Sequence, residues 1–103
     1  MLRLSVIAFA FSTINAAAEI CVLVIDGTVH MEGHCTFEAQ TGGDFVASDP
    51  ETGAFAHLFI EHDGTGTGFW NAYERHAHTP LGRLVRTGGC WSNQRAILCA
   101  WRP

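Results

Sequence analysis

Cys21-Val22-Leu23-Val24-Ile25-Asp26-Gly27-Thr28-Val29-His30-Met31 is the stretch that decides the fold. Its first five residues are an apolar, β-branched run of strand length. Asp26-Gly27 is a turn pair that tolerates positive φ, and the chain continues beyond it, so the stretch predicts a β-hairpin. The same pattern repeats outward from it. Gly33 suggests a second bend, and Cys35-Thr36-Phe37-Glu38-Ala39 alternates as a half-buried strand should. Gly42-Gly43-Asp44 turns the chain into a short extended piece at Phe45-Val46-Ala47. Loop 48–53 is rich in proline, glycine and small polar residues. Ala54-Phe55-Ala56-His57-Leu58-Phe59-Ile60-Glu61 is the strongest strand, turned by His62-Asp63-Gly64-Thr65, and residues 66–71 return. Residues 70–78 lack clean alternation and read as a long loop or a helical turn. Residues 81–86 form a strand, and Cys90-Trp91-Ser92 with residues 97–101 form a closing hairpin around Asn93-Gln94-Arg95-Ala96.

About eight short strands at close spacing predict an all-β domain, either a small antiparallel barrel or a two-sheet sandwich. The barrel is preferred because closure removes exposed sheet edges. Most of the aromatic residues are expected in its core.

The chain starts with Met1-Leu2-Arg3, an apolar stretch from Leu4 to Ile14 that is too short to span a bilayer, and Ala16-Ala17-Ala18 before Glu19. This pattern predicts a secretory signal peptide over 1–18, cleaved after Ala18, and a single domain over 19–103. Taking 18 residues from 103 leaves 85, a domain whose core is marginal without cross-links. Export places the domain in an oxidising compartment, so Cys21, Cys35, Cys90 and Cys99 are expected as disulfides. Four cysteines allow three pairings. Local pairing, Cys21–Cys35 and Cys90–Cys99, is favoured, because a loop at 93–96 puts Cys90 opposite Cys99 and a loop around Thr28 puts Cys21 opposite Cys35. The alternative ties the two chain ends together. No second apolar stretch reaches membrane-spanning length, and Glu19 is unlike a lipoprotein signal, so no membrane anchor is expected.

Charge is unevenly placed. Nine carboxylates and no arginine lie between Glu19 and Asp63; five arginines and no carboxylate lie between Arg75 and the end. With Glu74, the exported part has ten acids against five arginines, a net charge of −5. The two halves either neutralise each other across a sheet or leave an acidic face that steers a cationic partner. A nucleic-acid footprint is missing.

Several constellations invite chemistry. His76-Ala77-His78 places two rings on one side of an extended segment, a possible zinc or copper pair if His57, His62 or Asp63 joins them. The simpler alternative is that both rings tie a long loop to the barrel. Past the leader, Ser48 and Ser92 are the only serines, and neither sits in a nucleophile elbow. Glu61 and Asp63 are spaced as neighbours on one solvated edge rather than as a glycosidase pair. The sequence therefore predicts no catalytic residue and no cofactor. Trp70 and Tyr73, beside the irregular segment, are candidate surface anchors.

Gly68-Phe69-Trp70-Asn71, Ala77-His78-Thr79-Pro80-Leu81-Gly82, Cys90-Trp91-Ser92-Asn93 and Cys99-Ala100-Trp101 resemble the pattern of small exported proteins of Gram-negative bacteria. More distantly, the chain is similar to periplasmic and membrane-bound inhibitors of c-type lysozyme. That family has a leader, a small disulfide-bonded β-barrel and a Ser-Gly-Ala-x-Tyr loop that occupies the lysozyme cleft. Thr52-Gly53-Ala54-Phe55-Ala56 falls in the corresponding place, with threonine for serine and alanine for tyrosine. The resemblance implies a periplasmic, non-enzymatic module that binds a lysozyme or another peptidoglycan hydrolase. Ser48, Asp49, Glu51, Thr52 and Gly53 would enter the cleft, and Trp70 and Tyr73 would flank it. The rival expectations are a metal-binding protein using His76 and His78, and an envelope structural protein without a ligand.

Overall fold

Asp26 and Gly27 both adopt positive φ, 50° and 82°, which is the geometry that closes a two-residue hairpin with the twist of its strands. The strands it joins are β1 (Glu19–Ile25) and β2 (Thr28–Ala39). A computed structural model describes residues 19–72 and 79–102. Beyond β2 the chain makes a single 3-10 turn at Thr41–Gly43 and then runs through β3 (Phe45–Ser48), β4 (Phe55–Ile60), β5 (Gly66–Asn71), β6 (Thr79–Thr87), β7 (Cys90–Ser92) and β8 (Ala96–Trp101). Every strand pairs antiparallel with the next, and β1 pairs with β8, so the eight strands close into an up-and-down barrel. Each described strand therefore has a paired neighbour on both sides.

Gly33 does not end a strand. It takes φ 115° while remaining opposite Cys21 in the ladder, so β2 runs unbroken for 12 residues. A glycine can kink a barrel strand without breaking its pairing. The expected bend at Gly33 is thus a bend within one strand, and eight strands result.

Both local disulfides are present, Cys21–Cys35 and Cys90–Cys99. Cys90 lies directly opposite Cys99. Cys21 lies opposite Gly33, not Cys35, which pairs with Glu19. The hairpin turn has two residues, and a bulge at Leu23/Val24 shifts the register, so the first cystine crosses the ladder diagonally. The two bridges also face opposite ways. Cys21 and Cys35 belong to the core cluster inside the barrel. Cys90 neighbours the inward Trp91, so the second bridge is on the outer wall.

Leu23, Met31, Leu58, Leu81, Leu84 and Leu98 fill the interior and are all but inaccessible to solvent. Their space is limited, and several facing positions are small. Ala47 and Ala56 are fully buried, and Gly66 and Gly68 point inward on β5. A Cβ on Gly68 would lie 2.9 Å from Leu84 Cδ1 and 3.1 Å from Leu81 Cδ1. Large and small residues therefore interlock across the barrel.

That volume limit corrects the expectation that most aromatics are core. Phe45 and Trp91 are buried, and Phe37 and Trp70 pack against the core. Phe55, Phe59, Phe69 and Trp101 lie on the outer wall instead. In β4, Ala56, Leu58 and Ile60 turn inward, so their alternate neighbours must turn outward.

Candidate functional site

The β3–β4 connection carries the predicted contact residues. It sits at the same end of the barrel as the 26–27 turn and the 93–95 loop, because the strands alternate in direction. Loop 49–54 is closed by backbone bonds, Asp49 N–H to Ala54 O at 2.8 Å and Gly53 N–H to Asp49 O at 2.9 Å. Asp49 Oδ1 accepts from the Glu51 N–H at 2.8 Å and the Thr52 N–H at 3.4 Å. Thr52 Oγ1 accepts from the Ala54 N–H at 3.1 Å. These are the local side-chain bonds that aspartate and threonine offer in turns, and they fix the loop without help from elsewhere. Gly53 takes φ 85°, which a side chain would strain.

The loop's chemistry follows from this network. Pro50, Glu51 and Thr52 are exposed at the tip, and Ala54 is buried as the anchor. The Thr52 hydroxyl oxygen is used as an acceptor, which leaves its proton to donate. Glu51 projects a carboxylate at the tip, and Asp49 adds a second charge beneath it.

A groove of about 500 Å³ runs from this loop along the outer wall, lined by Val46, Ser48, Asp49, Pro50, Phe55 and His57, with Gly53 at the loop end. His57 Nε2 lies 3.1 Å from Gln40 Oε1, and its ring stacks on Phe59 with centroids 4.0 Å apart. Phe59 meets Phe69 edge-on at 6.0 Å. The loop thus borders a wall of aromatic side chains.

Of the residues singled out in the sequence, Asp49, Glu51, Thr52 and Gly53 come together in this loop, and Ser48 ends β3 just before it. Trp70 stands opposite the buried Ala56 and packs against the core, its ring 4.2 Å from that of His30. It closes the barrel interior beneath this end rather than extending the outer wall. Tyr73, His76 and His78 lie outside the described residues. Among the described residues no three histidine, cysteine, aspartate or glutamate side chains gather as a metal site. Asp63, one of the possible third ligands, accepts the Thr65 N–H and hydroxyl and pairs with Arg83 at 3.8 Å. Those bonds, led by the Thr65 N–H, hold its carboxyl below the usual carboxylate range.

Sequence reading missed the aromatic wall of Phe55, His57, Phe59 and Phe69. The signal was present in residues 54–61, where small or aliphatic residues alternate with aromatic ones and His57 sits among the latter. Comparisons of the chain with protein-family models, with curated proteins and with solved structures give no match.

Proposed function

We propose that this protein is an exported, periplasmic binding module that blocks a lysozyme or another peptidoglycan-cleaving enzyme by placing loop 49–54 in its cleft. The observation that carries the reading is the loop itself: a self-bonded, acidic tip held at one end of a closed barrel. A loop ordered before binding loses little conformational entropy on docking. The Thr52 O–H, whose oxygen is already used as an acceptor within the loop, is the right donor for a carboxylate of a glycoside-cleaving cleft. Glu51 and Asp49 give the local negative charge that attracts a cationic enzyme. The apolar groove along Val46 and Phe55 adds contact area beside the polar tip. The predicted leader and the two disulfides agree with an oxidising destination.

The test is inhibition of cell-wall lysis by the purified, oxidised protein at micromolar concentration. The expected result is inhibition of at least one c-type, g-type or endogenous hydrolase. Thr52→Val should raise the inhibition constant about tenfold, the worth of one hydrogen bond to a charged group. Glu51→Gln should mainly slow association, with the loss largest at low salt. No inhibition of any of the three hydrolase classes overturns the reading.

A further inference from the structure

The opposite end of the barrel, where the 40–44, 61–65 and 88–89 connections lie, has a different character. A cavity of about 220 Å³ opens there, walled by Phe37, Phe45, Ile60, Trp91 and Ala100, with Arg86 at its rim. Phe45 and Trp91 are buried, and the rings of Phe37 and Phe45 stand 5.0 Å apart. We propose that this mouth is a second binding site, for a small apolar carboxylate such as a monocyclic aromatic acid.

Arg86 decides the chemical class. It pairs with Trp91 in the β6–β7 ladder, so the two side chains share a face, and its guanidinium carbon lies 5.9 Å from the Trp91 ring. Arg83, Arg95 and Arg102 each pair with an acid, at 3.8, 3.4 and 3.0 Å. Among the described residues Arg86 is the arginine with no such acid partner. Its Nε–H donates to Gly88 O at 3.0 Å, which fixes the side chain and leaves the terminal N–H groups to donate. An arginine fork held over an apolar cavity suits a carboxylate whose hydrocarbon part enters the cavity. Of the acids near this end, Asp63 pairs with Arg83, Glu19 pairs with Arg102, Asp44 accepts the Ile60 N–H at 2.7 Å and Glu61 accepts the Thr67 hydroxyl at 2.6 Å, while Glu38 is exposed on the outer face of β2.

The volume sets the size. A cavity of roughly 150 Å³ holds benzene, so about 220 Å³ takes one ring with a short arm and excludes long acyl chains. Two rim positions, Gly43 and Gly89, carry no side chain. A Cβ on Gly43, at φ 98°, would come within 2.9 Å of Ile60 Cδ1, and one on Gly89 within 3.3 Å of Ala100 O. The connections over the mouth therefore press close to its walls without covering it.

The experiment is a nitrogen–proton correlation titration of the oxidised protein with phenylacetate, against 2-phenylethanol as the neutral analogue and phenethylamine as the cation. Phenylacetate should give saturable shifts at the Trp91 indole N–H and the Arg86 Nε–H. It should bind about tenfold more tightly than 2-phenylethanol, as expected of one charge-assisted contact. Arg86→Gln, an exposed position, should bring acid and alcohol to parity. Ala100→Leu should abolish binding of both while the protein still melts cooperatively. The proposal is overturned by absent or non-saturable shifts, by saturable shifts confined to other residues, by tighter binding of the amine, by parity in the unmodified protein, or by unchanged binding in either variant. Inhibition of a hydrolase through loop 49–54 is measured separately, so either site can fail alone.

Discussion

The barrel wall has two halves that are held closed by different means. The half containing β1, β2, β7 and β8 is cross-linked twice, once through the interior and once on the outer wall. The half made of β3, β4, β5 and β6 has no cross-link and closes on small residues, with Ala47, Ala56, Gly66 and Gly68 under the leucines. The acidic loop projects from this second half. Covalent order thus lies beside the seam that joins the first strand to the last, where ordering brings together residues far apart in the chain. Packing alone orders the half whose strands are neighbours in sequence.

The strongest way to break the contrast is to remove one bridge at a time. Cys21→Ala with Cys35→Ala should cost about 3–5 kcal/mol, because it reopens the longer loop and leaves a defect in the core. Cys90→Ala with Cys99→Ala should cost about 2–3 kcal/mol, since the loop is shorter and the bridge lies on the outer wall. Thermal melts of the two variants, the first melting lower, check the order. Equal losses would mean that the interior position contributes nothing.

The uncross-linked half is probed by Gly68→Ala. Its methyl group would press on Leu84 and Leu81, and overpacking of this kind costs about 1–3 kcal/mol. The same substitution at Gly27, where a Cβ meets nothing, should cost less, through backbone strain alone. Denaturant midpoints separate the two.

Two side-chain anchors sharpen the comparison further. Asn93 Nδ2 donates to the carbonyls of Leu81 and Arg83, and Asn93 Oδ1 accepts from the Arg95 and Ala96 N–H groups. It ties β6 to the β7–β8 turn, so Asn93→Ala should lose about 1–3 kcal/mol. Asp49→Ala removes bonds that stay within loop 49–54. It should lose about 1 kcal/mol or less of global stability, while amide exchange in the loop accelerates.

The smallest effect is expected at Asp63, in the exposed turn between β4 and β5. Its carboxyl titrates lower in the folded protein than in the unfolded chain. The stabilisation is therefore complete above the unfolded value and is lost as pH falls through the folded one. Acid unfolding below about pH 4 should be shallower in Asp63→Asn than in the unmodified protein. Identical acid profiles would remove the turn from the account.

Local patterns carried most of the architecture. The Asp26-Gly27 turn, the alternation of residues 54–61 and the 93–96 connection are short-range features, and each placed a strand pair without knowledge of the rest. The Cys90–Cys99 pairing was legible because a four-residue connection sets its register. The residues of loop 49–54 were legible as a loop because proline, glycine and small polar residues concentrate there.

Other features needed the closed barrel. Alternation marks two faces but does not say which is inside. Curvature and limited volume turned alanine and glycine inward and sent Phe55, Phe59 and Phe69 out. The diagonal reach of Cys21 to Cys35 depends on the bulge at Leu23/Val24, which shifts the register by one residue and which the turn residues do not announce. The mouth with Arg86 over Trp91 brings together residues from β2 to β8, so no single window of sequence contains it. The chain by itself determined where strands and turns fall, because those follow from neighbouring residues. The tertiary structure decided which side of each strand meets the core, because that depends on the space left by all the others.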